Sequence, residues 1–137
     1  MSFDLRPSNK KVSTYCMGSS CYFWMMDNGV GMVVGYGKGI EPGSYIFHKR
    51  KDDNNLMYND GAKVTAREAK EMSKIALRLS DYQDMLYNEF EKLDEKTKKE
   101  YQKNEKGYYN LPIRRDFVEN IRAFSEFAQK SGGFRVY

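Results

Sequence analysis

The sequence predicts an α+β domain, a small antiparallel sheet covered by one long helix and a C-terminal helix. Three observations predict it. Apolar and polar residues alternate in short stretches at residues 3–5, 44–49 and 134–136, which is the period of strands. From residue 65 the period turns helical, with Ala69, Met72, Ala76, Leu79, Leu86, Phe90 and Leu93 forming one apolar stripe. Residues 56–69 join the two regimes and read as a strand, a tight turn, a second short strand and a capped helix start.

Taken in order, Phe3 and Leu5 predict a short strand with both side chains inward, stopped by Pro7. Residues 8–13 form an exposed basic loop. Residues 15–26 read as a short helix capped by Ser19 or Ser20 and ended by Asn28-Gly29, with a buried strand as the alternative. The glycine-rich residues 29–43 hold a strand around Met32 to Val34 and then a flexible loop. Tyr45 and Phe47 share one face of the strand at 44–49, opposite Ile46 and His48. One sheet is expected from these pieces.

Asn59-Asp60-Gly61 supplies residues that tolerate positive φ, as a hairpin turn after Leu56 to Tyr58 requires. Thr65 and Glu68 have the spacing of a capping box, and Val64 can staple onto Ala69. Ser80-Asp81 bends the long helix or starts a second segment. Residues 96–106 hold little that is apolar, so the helix projects into solvent there and closes at Gly107. Asn110-Leu111-Pro112 opens the last helix, buried through Phe117, Ile121, Phe124 and Ala128 and ended at Ser131-Gly132-Gly133. Phe134 and Val136 then face inward from a final strand tied into the sheet.

The 137 residues suit one domain over 1–137, and 31% charged residues suit a solvated surface. No apolar run approaches the roughly 20 residues of a membrane span, and no secretory leader opens the chain, so the expected location is cytoplasmic. Net charge is +4, but most lysines alternate with acidic residues, so nucleic-acid binding is not favoured. The thiols Cys16 and Cys21 and the single His48 have no zinc-site spacing, so neither metal nor cofactor is expected. The acidic pairs lie in polar stretches and lack the burial that raises a general acid, and an enzyme is not the favoured reading.

Residues 29–43 match neither G-x-G-x-x-G nor G-x-x-x-x-G-K-[ST], which leaves the aromatic residues around them as the candidates. Trp24, Tyr36 and Tyr45 beside Lys38 suit stacking of a base and retention of a phosphate. The bland alternative is that these rings are core.

Three pieces together carry a resemblance: Met1-Ser2-Phe3-Asp4-Leu5, the unit running from Tyr58-Asn59-Asp60-Gly61 through Val64-Thr65 to Glu68-Ala69, and Phe124-x-x-Phe127 followed by Ser131-Gly132-Gly133-Phe134-x-Val136. The chain thereby resembles small proteins of phages, prophages and gut bacteria with such a hairpin-helix unit and a closing Gly-Gly-Phe strand. The resemblance implies a mobile-element accessory protein that acts by binding and carries over no catalytic residue. Two functions follow as expectations: an anti-defence factor that sequesters a nucleotide-type signal, or an inhibitor that contacts a host protein. Contact inhibition is compatible with a homo-oligomer.

Overall fold

The computed structural model describes residues 2–38, 45–47, 56, 61–102 and 115–137. Its elements are β1 (Ser2–Pro7), β2 (Tyr15–Gly18), α1 (Ser19–Asp27), a 3-10 turn (Val30–Val34), β3 (Tyr36–Lys38), β4 (Tyr45–Phe47), β5 (Ala62–Val64), α2 (Ala66–Glu91), α3 (Glu95–Gln102), α4 (Arg115–Lys130) and β6 (Phe134–Val136). The architecture is α+β, as the periodicities predict.

The main sheet is antiparallel in the order β2-β1-β6-β5. Phe3 and Leu5 of β1, Ala62 and Val64 of β5 and Phe134 and Val136 of β6 are buried, while Lys63 and Arg135 between them are exposed. That alternation puts every apolar side chain of these strands on the face covered by helices. The closing strand is tied in as expected, and it lies inside the sheet with a neighbour on each side. Leu5 and Ala62 both pair with Val136.

Gly132 (φ +68°) and Gly133 (φ +95°) turn the chain from α4 into β6, in the left-handed region that favours glycine. A Cβ on Gly133 would stand 2.7 Å from the Val64 carbonyl oxygen and 3.0 Å from the Ala66 nitrogen. No side chain fits there.

The α2 start is the expected capping box. Glu68 N–H donates to Thr65 Oγ1 at 3.2 Å, and Thr65 N–H donates to Glu68 Oε1 at 2.9 Å. Val64 and Ala69 are both fully buried beside it. Ser80 does not divide the helix: its hydroxyl donates to the Leu77 carbonyl at 2.7 Å within an unbroken α2. The helix stops at Glu91, and α3 is a separate helix that begins where Thr97 N–H donates to Asp94 Oδ1 at 2.7 Å. This bond holds the Asp94 carboxyl below its ordinary range.

The helices α2 and α4 pack together through Met72, Ala76, Phe117, Ile121, Phe124 and Ala128. A polar clamp closes the rim. Asp84 accepts from Arg122 at 2.6 Å and from Arg115 at 2.8 Å, and Asp81 accepts from Arg122 at 3.0 Å. These bonds raise the Arg122 guanidinium above its ordinary pKa.

Three expectations are corrected. The expected short helix ended by Asn28 is present as α1, but a strand at Tyr15–Gly18 precedes it and its cap is Gly18, with no side-chain hydrogen bond from Ser19 or Ser20. Residues 30–34 form a 3-10 turn and not a strand, bracketed by Gly29 (φ +126°) and Gly35 (φ +80°), which burial of Val30 and exposure of Met32 accompany. Residues 36–38 are a strand within the stretch read as a flexible loop, and β3 with β4 makes a second two-stranded sheet. The described partner of β5 is β6. The expected turn at Asn59-Asp60, the strand partner at 57–58 and the signals at 103–114 lie outside the described residues.

Candidate functional site

Trp24 sits on α1, a helix apolar on nearly every side. Cys21, Tyr22, Trp24, Met25 and Met26 are all buried, so α1 runs through the core. Its neighbours fix it. Tyr22 stacks on Phe3 with centroids 4.2 Å apart and donates its hydroxyl to the Leu56 carbonyl at 2.7 Å. Asn28 ends the helix, its Nδ2 donating to the Trp24 carbonyl at 2.7 Å. Trp24 is 9% exposed and belongs to the core cluster, so its ring presents no open face for a base. Its Nε1–H is buried and has no hydrogen-bond acceptor among the described residues. A buried donor left so costs about 1–3 kcal/mol.

The other three candidates lie on the β3–β4 ladder. Its register pairs Tyr36 with Phe47, Gly37 with Ile46 and Lys38 with Tyr45. In an antiparallel pair, directly opposed residues and those two apart along each strand share a face. Tyr36, Lys38, Tyr45 and Phe47 therefore occupy positions of one face. Both α1 and the 3-10 turn pack against β3, which brings the Trp24 helix alongside this ladder.

A groove not singled out by the sequence lies between the first turns of α2 and the end of α4. Its volume is about 530 Å³, with Arg67, Lys70 and Lys74 among its lining and Ser73 and Gln129 beside them. Basic residues three and four apart on one helix were its signal in the sequence. Lys74 is held by Glu71 at 3.5 Å, and the buried Ser73 hydroxyl is committed to Ser125, so the groove wall offers exposed charge without a buried free donor.

The thiols differ. Cys16 is exposed, and Cys21 is buried with its sulfur 3.7 Å from the Phe117 carbonyl oxygen. Burial, and then the Asp116 carboxylate, push the Cys21 thiol up to about 12, so it stays protonated near neutrality and is no nucleophile. The Tyr15 phenol is likewise pushed up to about 12, by burial first and then by Cys21 and Cys16, and it donates to the Asn120 carbonyl at 2.9 Å. His48 lies outside the described residues. Among the described residues, no three His, Cys, Asp or Glu side chains gather as a metal site, and no helix is long and apolar enough to cross a membrane.

Comparison with family models, curated proteins and solved structures finds no match to this chain.

Proposed function

We propose that the protein acts by binding, and that it takes a nucleotide-type ligand between α1 and the β3–β4 ladder. The observation that carries this reading is the ladder register, which sets Lys38 opposite Tyr45 and Tyr36 opposite Phe47. Three aromatic residues and an ammonium at same-face positions suit a base and its phosphate. The Trp24 Nε1–H on the adjacent helix, which has no acceptor among the described residues, supports it, since an acceptor on a ligand reaching α1 would satisfy that donor. In this reading Trp24 serves as a buried edge and reporter, and Tyr36 and Tyr45 do the stacking. The biological role is that of a phage or mobile-element accessory protein which withdraws a nucleotide signal from host defence, the context implied by the resemblance at residues 1–5, 58–69 and 124–136.

Trp24 is the only tryptophan, so its fluorescence reads the site directly. Titration with mono-, di- and cyclic nucleotides is expected to shift emission and raise the melting temperature. Tyr36→Ala should weaken binding by roughly ten-fold or more, given stacking worth about 1–3 kcal/mol per base. Lys38→Ala should weaken phosphate-bearing ligands and spare nucleosides, and added salt should imitate it. A panel that moves neither fluorescence nor melting ends this reading.

A further inference from the structure

The face of the main sheet that points away from the helices carries Asp4 and Arg6 of β1, Cys16 of β2, Lys63 of β5 and Arg135 of β6. The register lines up three of them. Arg6 pairs with Arg135, and Arg135 pairs with Lys63, so three cations stand abreast on three adjacent strands. All three are exposed. With strands about 4.8 Å apart, the row measures about 10 Å from end to end. It gathers residues from both ends and the middle of the chain, so charge patterning along the sequence does not reveal it.

Like charges set directly opposite one another destabilise a sheet, and this one does so twice in a single row. Asp4, at the next outward position of β1, is the one carboxylate at the described strand positions of this face. The described contacts of the two guanidiniums leave their charge in place. Arg135 donates through Nη1 to the Gly61 carbonyl at 3.0 Å, and Arg6 lies over the Tyr137 ring with Cζ 4.2 Å from its centroid. Neither forms an ion pair among the described residues. A Cβ on Gly61 would stand 3.2 Å from Tyr137 Cε1, so that glycine backs the ring. The carbonyl and the ring thus position both guanidiniums before any anion arrives.

We propose that this open face binds single-stranded nucleic acid, with Arg6, Arg135 and Lys63 on its phosphates and a base against the Arg6–Tyr137 pair. Charge complementarity calls for an anion. Guanidinium forks take phosphate and carboxylate alike, so the stacking surface decides between a nucleic acid and an acidic peptide. Bases stack on aromatic rings and on guanidinium planes, whereas acidic side chains gain nothing from either. A pleated face suits a splayed strand, because it puts no helix or ribbon forward to enter the groove of a duplex. The surface shares no residue with the β3–β4 ladder, which belongs to the other sheet.

Fluorescence anisotropy of labelled oligouridine and oligothymidine of about twelve nucleotides, titrated with the full chain, tests this. The expected Kd is about 1–100 µM at about 50 mM salt. Its logarithmic salt slope should be near −2, at about −0.7 for each of three phosphates. Lys63→Gln and Arg135→Gln should each weaken binding several-fold and reduce that slope by about 0.7. Both positions are exposed, so circular dichroism of the variants should match the parent. Arg6→Lys keeps the charge but not the plane, so the slope should hold while affinity falls. Lys99→Gln on the exposed side of α3 and Lys38→Ala on the ladder should leave binding as it was. Unmoved anisotropy with both oligonucleotides overturns the proposal, as does a duplex bound equally tightly. Weakening by Lys99→Gln or Lys38→Ala equal to that by Lys63→Gln overturns it too, since the row would then have no special part. Oligoglutamate of equal charge that displaces the probe as well as unlabelled oligonucleotide does would give the face to an acidic protein instead.

Discussion

Ser73 on α2 and Ser125 on α4 each donate a hydroxyl proton to the other's backbone carbonyl, at 2.6 and 2.7 Å. Both residues are buried, and their hydroxyl oxygens are 3.1 Å apart. A small side chain at both positions lets the helices approach, and the paired bonds fix how far one can slide along the other. Ser73→Ala and Ser125→Ala should each cost about 1 kcal/mol. The double variant should lose less than the sum, because each single change also disturbs the partner's hydroxyl. Urea melts of the four-member cycle check this, and strictly additive losses would show two independent bonds.

Gly133 and Gly132 both have positive φ, yet they differ in space. A Cβ on Gly132 would lie 3.7 Å from Asn9, whereas on Gly133 it would meet backbone at 2.7 Å. Gly132→Ala should cost about 1–2 kcal/mol for the left-handed conformation alone. Gly133→Ala should cost on the order of 3 kcal/mol or more, since overpacking adds to the strain. Comparable denaturation midpoints for the two variants would remove the backbone-contact argument.

Thr65→Ala should destabilise by about 1 kcal/mol by removing the N-cap acceptor, and Thr65→Ser should keep most of it. Thermal melts in parallel distinguish them.

Burial raises the Cys21 thiol from 9.0 to about 12, and the unfolded chain therefore releases this proton first. Between those two values the folded state binds more protons than the unfolded one, so stability contributed by the buried thiol is whole below the lower value and is lost as pH rises toward the upper. Tyr15, raised from 10.0 to about 12, works in the same direction. Urea midpoints taken from pH 8 to about 12 should fall more steeply for the parent than for Cys21→Ala. Equal slopes would mean that the thiol does not contribute.

Much of this fold is legible in the sequence where one local rule acts alone. Thr65 and Glu68 announce the capping box, and Phe117, Ile121, Phe124 and Ala128 announce the buried side of α4. Legibility fails where rules overlap. Residues 15–17 and 21–26 are short apolar runs on either side of Gly18-Ser19-Ser20, so period cannot assign them, and the extended conformation at Gly18 marks where strand gives way to helix. Residues 30–34 suit a strand in composition, but Gly29 and Gly35 tighten the chain into a 3-10 turn. The partner of β5 was hidden because pairing with β6 is a tertiary event, whereas turn residues signal only the neighbour next along the chain. At the candidate site, the sequence marks Trp24 as aromatic near glycines but cannot show that it is enclosed, since enclosure depends on the elements packed around α1.

The β1–β6 ladder joins Leu5 to Val136, and the β5–β6 ladder joins Ala62 to the same residue. About half of the chain must be brought round before β6 meets β5 and nearly all of it before β6 meets β1, whereas α2 needs only its own turns. Loop closure of that span is the entropic step that slows folding of non-local topologies. Refolding should therefore show helical signal first and sheet closure last. Until that step Phe134 and Val136 lie uncovered, so the refolding yield should drop as protein concentration rises. Stopped-flow circular dichroism beside a concentration series of refolding yields reads both consequences, and a helix signal that rises only together with closure would place the rate-limiting event elsewhere.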